Sequence, residues 1–186
     1  MLLPLFIVIG ILIKADSSGP VFYKQQRVGL NFIPFFIYKF RTMVQDADKK
    51  GSQITAGGDV RVTRIGRILR KTKVDELPQL INVLKGEMSF VGPRPEVEEY
   101  VILFKDDYND ILKIRPGITD ISSITYRDEE GVLRDRGNAE EYYKTVLLPK
   151  KIMLAKEYIM KSSTVYDIKL LMRTVIRIFL PVKNTE

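Results

Sequence analysis

Two adjacent carboxylates, Asp75 and Glu76, begin a stretch from Lys73 to Glu96 that also holds a basic helix end at Lys85 and an arginine set between prolines, Pro93-Arg94-Pro95. Paired carboxylates can divide two tasks. One, kept ionised at a helix N-terminus, can act as a covalent nucleophile, and its neighbour can bind a hard cation that keeps most of its water. The arginine loop supplies the complementary group: Pro93 and Pro95 fix the backbone and reduce the entropy lost when the Arg94 guanidinium grips an anion, which suits a phosphate. An Asp-Glu pair also fits a structural role, Asp75 capping a helix and Glu76 complementing its macrodipole. The order of the segments favours phosphate chemistry.

Those residues need elements to hold them. Pro78 lacks a backbone donor and is tolerated only in a first helical turn, so the pattern predicts a helix with Asp75 as N-cap, Glu76 first and Pro78 third. Leu77, Leu80, Ile81 and Leu84 recur at helical spacing as its buried stripe, and Gly86 stops it after Lys85. Upstream, Val21 to Gly29 and Tyr38 to Met43 read as short strands, which would place Lys24, Lys39 and Arg41 on the polar side of one hairpin. Tyr126 to Lys144, rich in Asp, Glu, Arg and Gly, reads as a loop over the site.

The two ends of the chain carry apolar surface. Met1 to Ile13 is apolar apart from Pro4 and Gly10 and is closed by Lys14 and Asp16. It is shorter than the roughly 20 residues needed to cross a bilayer core of about 30 Å. It has neither a basic leader nor a cleavage site, so it reads as a membrane-associated or a core helix rather than a signal peptide. From Asp167 to Leu180 a helix places Lys169, Arg173 and Arg177 on one face and Ile168, Leu171, Met172, Val175, Ile176 and Phe179 on the others. Such a helix can lie among lipid headgroups or pack on the core with a solvated cationic stripe.

Composition narrows the chemistry. A chain of 186 residues allows one domain with a real core. Its net charge of +7 favours an anionic partner: lipid, nucleotide sugar or nucleic acid. With no Cys and no His, thiolate and imidazole chemistry are excluded, and proton transfer falls to carboxylates, Lys, Tyr or water. There is no Walker or Rossmann glycine loop, no internal repeat and no RNA-binding signature.

Taken together, the motifs resemble the bacterial sugar transferase family, the monotopic phosphoglycosyl transferases. The resemblance runs from about Ile7 to Ile178. It passes through Gly19-Pro20-Val21-Phe22, Lys39-Phe40-Arg41-Thr42-Met43, Asp59-Val60-Arg61-Val62-Thr63-Arg64-Ile65-Gly66, the acidic-pair helix, Val91-Gly92-Pro93-Arg94-Pro95 and Arg115-Pro116-Gly117-Ile118-Thr119. It implies an α+β fold: a mostly helical catalytic domain over 20–186 with a short β-hairpin and C-terminal amphipathic interfacial helices, after a membrane-anchoring helix over 1–19. In the family that anchor is half of a re-entrant helix broken at a Ser-Pro step; here Leu3 precedes Pro4, and a truncated anchor is expected.

The implied reaction moves a sugar 1-phosphate from a UDP-sugar to a polyprenol phosphate such as undecaprenyl phosphate, with release of UMP. It would occur on the cytoplasmic face of the bacterial inner membrane and initiate exopolysaccharide, capsule, O-antigen or glycoprotein glycan assembly. Asp75 would be the nucleophile, Glu76 the Mg2+ ligand, and Lys39, Arg41 and Arg94 the groups that neutralise phosphate. Pro93 and Pro95 would border the nucleotide. After Thr119 the family usually continues Gly, small, Gln, Val, Asn, Gly, Arg, where this chain has Asp120 to Arg127; Arg127 keeps the arginine position. The expected partners are UDP-sugar, polyprenol phosphate and membrane lipids, not nucleic acid, and the sequence sets no oligomeric state. The alternative is a non-catalytic basic module that binds membrane surfaces or nucleic acid. It accounts for the charge but gives Asp75-Glu76 no reason to stand beside Pro93-Arg94-Pro95.

Overall fold

The computed structural model describes residues 3–47, 54–134 and 136–179, so the expected helix ends at Met1, Leu2 and Leu180 lie outside the described residues. Its first helix, α1 (Leu3–Asp16), buries Ile9 and Ile13 against Phe40 and Leu69 and leaves Leu3, Ile7, Val8 and Ile11 exposed. Among the described residues no helix is long and apolar enough to cross a membrane.

A hairpin follows, β1 (Phe22–Val28) paired antiparallel with β2 (Pro34–Phe40). The second strand therefore starts four residues before the expected Tyr38. In this register Tyr23 faces Lys39 and Lys24 faces Tyr38. Alternate residues of a strand point to opposite faces, so Lys24 and Lys39 do not share one. Lys24 instead stands over the Tyr38 ring, 5.4 Å from its centroid.

Helix α2 (Arg64–Thr72) is capped by Thr63, whose side chain accepts from the Gly66 amide. A Cβ on Gly66 would lie 2.0 Å from the Thr42 carbonyl oxygen, so only glycine lets α2 touch the exit of β2. Lys73, at φ 58, ends α2 in the left-handed region and turns the chain into a 3-10 segment, Val74–Gln79, continued by α3 (Leu80–Leu84).

This region corrects the sequence reading in two ways. Asp75 is not an N-cap: Lys73 holds that position, with no side-chain cap. Nor is the apolar stripe buried. Asp75, Pro78, Gln79 and Asn82 face inward, whereas Ile81 is exposed and Leu84 is 88% exposed. The inversion follows from what lies inside, the free edge of β2, whose backbone groups need polar partners. Asn82 accepts from the Tyr38 amide at 3.2 Å and donates to the Phe36 carbonyl at 2.7 Å, standing in for a third strand. Gly86, at φ 75, stops the helix as expected.

A parallel pair that the sequence did not reveal, β3 (Ser89–Val91) and β4 (Gly117–Thr119), carries the arginine loop away from its end. Gly92 and Gly117 cross here so closely that a Cβ on Gly117 would lie 2.1 Å from the Gly92 nitrogen. The main core lies between α4 (Glu98–Leu103), α5 (Lys105–Ile111) and the helix that starts at Leu148. It includes Tyr100, Val101, Ile111, Leu148 and Ile152.

The expected loop from Tyr126 to Lys144 contains helices. After α6 (Ile121–Thr125) come α7 (Glu129–Arg134) and α8 (Ala139–Tyr142), and Leu133 and Tyr143 belong to the core. A wide π turn, Tyr143–Leu147, joins α8 to α9 (Leu148–Lys161). The last helix, α10 (Thr164–Phe179), buries Leu170 and leaves Val165, Ile168, Met172, Val175 and Ile176 exposed. Tyr158 of α9 donates to Asp167 of α10 at 2.8 Å. The architecture is α+β, mostly helical, with a small hairpin.

Candidate active site

Four of the expected site residues meet where the 3-10 turn passes between β2 and the arginine loop. Lys39, on the inner face of β2, donates to Glu76 Oε1 at 3.1 Å. Arg94 grips the same carboxylate with both terminal nitrogens, Nη2 on Oε1 and Nη1 on Oε2, the latter at 3.1 Å. Asp75, one residue earlier, is 7% exposed, and its Oδ1 has no hydrogen-bond partner among the described residues.

The two carboxylates differ electrostatically. Burial and the neighbouring Glu76 charge push Asp75 up to about 6, against the pull of Lys39, Lys73 and Arg70. This differs from the expectation of a carboxylate held ionised by a helix end, because Asp75 lies in the wall of the fold and not at a cap. Burial alone would also raise Glu76, but Arg94 and then Lys39 hold it well below the ordinary range. Burial lowers Lys39, with Glu76 opposing. Glu76 is thus a fixed anion inside a cationic clamp, and Asp75 is a desolvated oxygen beside it.

The loop that presents Arg94 is bolted on both sides. Pro93 and Pro95 are buried, and Pro93 accepts from the Gly117 amide at 3.0 Å. The next residue, Glu96, takes Arg27 at 2.6 Å on one oxygen and the Tyr143 hydroxyl at 2.6 Å on the other. Behind Arg94, between Glu96, Asp120 and Lys151, lies a cavity of about 20 Å³, room for about one water molecule.

Two other expected residues are placed elsewhere. Arg41 follows β2 and turns away, donating to the carbonyls of Ser18 and, at 2.8 Å, Ser17, so that it ties down the end of α1. Arg127 donates to the Arg177 carbonyl on α10. Sequence reasoning missed Arg70, Gln79 and Glu96. Arg70 sits on the last turn of α2, donating to Thr42 Oγ1 at 2.8 Å and to Glu130 at 2.5 Å. The spacing of Asp75, Gln79 and Asn82, on one helical face, was a visible signal that the apolar residues obscured.

The donor set can be tested against magnesium. A carboxylate offers about four lone-pair positions. Lys39 and Arg94 take three on Glu76, which leaves one on Oε2. Among the described residues no group of three or more His, Cys, Asp or Glu could hold a metal. One free carboxylate position fits a cation that completes its shell with water and substrate phosphate, and does not fit an all-protein cage.

A family profile described as bacterial sugar transferase matches residues 1–181. The chain is 38% identical over 175 residues to a UDP-glucose:undecaprenyl-phosphate glucose-1-phosphate transferase of Caulobacter vibrioides, covering 92% of this chain and 61% of that protein. It is 36% identical over 185 residues to the like-named protein of Escherichia coli, covering 95% of this chain and 36% of that one. A UDP-N-acetylgalactosamine-undecaprenyl-phosphate N-acetylgalactosaminephosphotransferase of Aeromonas hydrophila is 44% identical over 128 residues, covering 66% and 30%. The chain thus spans between about a third and three fifths of the length of these relatives.

Proposed function

The chain belongs to the bacterial sugar transferase family, and from that premise we propose that it transfers a sugar 1-phosphate from a UDP-sugar to undecaprenyl phosphate through a covalent intermediate on Asp75. The observation that carries this reading is the buried, unpartnered Asp75 oxygen beside a Glu76 already neutralised by Arg94 and Lys39. A carboxylate stripped of water and hydrogen bonds is a stronger nucleophile than a solvated one, and with its pKa near 6 it is ionised at neutral pH.

In the first step an Asp75 oxygen bonds to the phosphorus that bears the sugar. The bond from that phosphorus to the bridging oxygen breaks, and its electron pair leaves on UMP. In the second step a phosphate oxygen of undecaprenyl phosphate attacks the same phosphorus. The bond to Asp75 breaks, restoring the carboxylate and giving undecaprenyl diphosphate-sugar. Neither step needs a proton from the protein, which agrees with a site built without histidine.

Phosphoryl transfer is mainly positioning and charge neutralisation, so Arg94 and Lys39 carry the burden. Pro93 and Pro95 hold Arg94 against the nucleotide. Glu76 Oε2 would hold magnesium, which when bound neutralises diphosphate charge. Arg41 and Arg127 contribute through the frame, Arg41 by fixing α1 and Arg127 by fixing α10.

The exposed apolar faces of α1 and α10, the latter bordered by Lys169, Arg173 and Arg177, support monotopic binding at the cytoplasmic membrane face, where the lipid acceptor resides. The relatives' names carry both glucose and N-acetylgalactosamine, so the reading is made for UDP-sugars as a class, at the first step of a surface-glycan pathway. Release of UMP from a panel of UDP-sugars with undecaprenyl phosphate and magnesium tests it. Absence of UMP across the panel, with folded protein, overturns it.

A further inference from the structure

Two amides sit on the buried face that also carries Asp75, and the fold treats them differently. Asn82 is spent on the protein. It takes the Tyr38 amide and gives to the Phe36 carbonyl and, at 2.7 Å, to Glu87. Gln79, less than one turn earlier, is 1% exposed, and its Nε2 has no hydrogen-bond partner among the described residues. A buried donor without a partner is unfavourable and rare in folded proteins, and where one persists it calls for a ligand or a chemical role.

The other unpartnered polar atom on this segment is Asp75 Oδ1, on a residue that is likewise buried and belongs to the same 3-10 turn as Gln79. One buried turn therefore carries both an open donor and an open acceptor. The cationic groups, Arg94 and Lys39, approach from the Glu76 side. What the Asp75 side lacks is a neutral donor for phosphoryl oxygens, one that stabilises charge without pairing with the nucleophile and quenching it.

We propose that Gln79 is a catalytic residue whose Nε2 donates a hydrogen bond to a non-bridging oxygen of the phosphoryl group while it is transferred to, and held on, Asp75. The inference rests on the reading of Asp75 as the nucleophile. It gives the buried amide a partner that exists only during the reaction, which is where a preorganised donor accelerates chemistry and does not merely tighten binding.

Gln79→Leu and Gln79→Met remove the donor at similar volume. Both variants should melt at or above the native temperature, since no protein partner is lost, whereas Asn82→Leu should melt well below it. Turnover of UDP-sugar with undecaprenyl phosphate should fall about 10- to 1000-fold in both Gln79 variants, with KM changed by less than about twofold. Variants less stable than native that keep the native rate per folded molecule would show that Gln79 serves the fold, and would overturn the inference. So would variants unchanged in both respects. A native chain that forms no sugar-phosphate adduct and releases no UMP overturns the reading of Asp75 and this inference with it; a native chain that turns over while both variants match it overturns the inference alone.

Discussion

Replacing Asp75 by asparagine should abolish the reaction and stabilise the protein. The rise of the Asp75 carboxyl from 3.8 to about 6 means that ionising it in the fold costs about 3 kcal/mol more than in the unfolded chain. Asparagine removes that cost but places an amide at the same partnerless spot, which returns about 1–2 kcal/mol. The expected net gain at pH 7.5 is about 1–2 kcal/mol, or about 2–8 °C in Tm for a chain of this size. The pH dependence gives the sign. The folded chain holds this proton more tightly than the unfolded chain, so it binds more protons between about pH 4 and 6. Native stability therefore falls as pH rises through that window and is flat above it. The variant lacks this slope, and its advantage should be full above pH 6 and gone by about pH 4. Melting curves from pH 4 to 8, without divalent cations, measure this, and intact mass after exposure to UDP-sugar should show an adduct on the native chain alone. An asparagine variant that is less stable at pH 7.5, or whose advantage does not shrink toward pH 4, would refute the account of Asp75 as a desolvated carboxylate. An adduct on that variant would refute its role as nucleophile.

Glu76→Gln should do the opposite to stability, because it strands Arg94 and Lys39. Both are partly exposed, so the loss should be about 1–3 kcal/mol, short of that for a fully buried pair. Removing the adjacent charge should also lower the Asp75 pKa, so that residual activity persists to lower pH than in the native protein; an unmoved acid limb in the pH–rate profile would count against the coupling. Arg94→Lys keeps the charge and loses the planar fork, and affinity for the UDP-sugar should weaken by about 1–3 kcal/mol in titration calorimetry. Unchanged affinity would remove Arg94 from the site. Ile168→Glu combined with Met172→Glu places charge on the exposed apolar stripe of α10. It should move the protein from the membrane to the soluble fraction with little change in Tm, and retention on membranes would show that α10 is not the contact.

The grouping of the candidate residues was legible because it is local: Asp75-Glu76 and Pro93-Arg94-Pro95 are short motifs whose composition does not depend on which way a helix faces. Lys39 was legible for the same reason, as part of a strand. What failed was orientation. Ile81 and Leu84 have the spacing of a buried stripe, yet a strand edge with unpaired amides outbid them, and an edge in need of partners cannot be seen until the strand is placed. Lys24 and Arg41 were grouped with Lys39 as the polar side of one hairpin, but strand parity separates the first and the Ser17 and Ser18 carbonyls claim the second. The parallel pair of β3 and β4 is three residues a side and joins segments 28 positions apart, counting from Ser89 to Gly117, too short and too distant to leave a period. Burial of Tyr143 was hidden because its segment is charged and helical only in pieces.

The π turn at Tyr143–Leu147 also makes the site sensitive to counting. An α-helix advances about 100° per residue, so one residue more or fewer changes the phase of everything beyond it. The wide turn absorbs such an extra residue between α8 and α9, and in that phase Tyr143 reaches Glu96, the residue that follows the arginine loop. Thr145 within the turn is exposed, and substitutions there should pass unnoticed. Its deletion would restore ordinary helical winding, rotate α8 relative to α9 and carry the Tyr143 hydroxyl away from Glu96. This segment therefore tolerates changes of letter and resists changes of length, so an exposed position remote from the chemistry fixes the pitch on which the arginine loop depends.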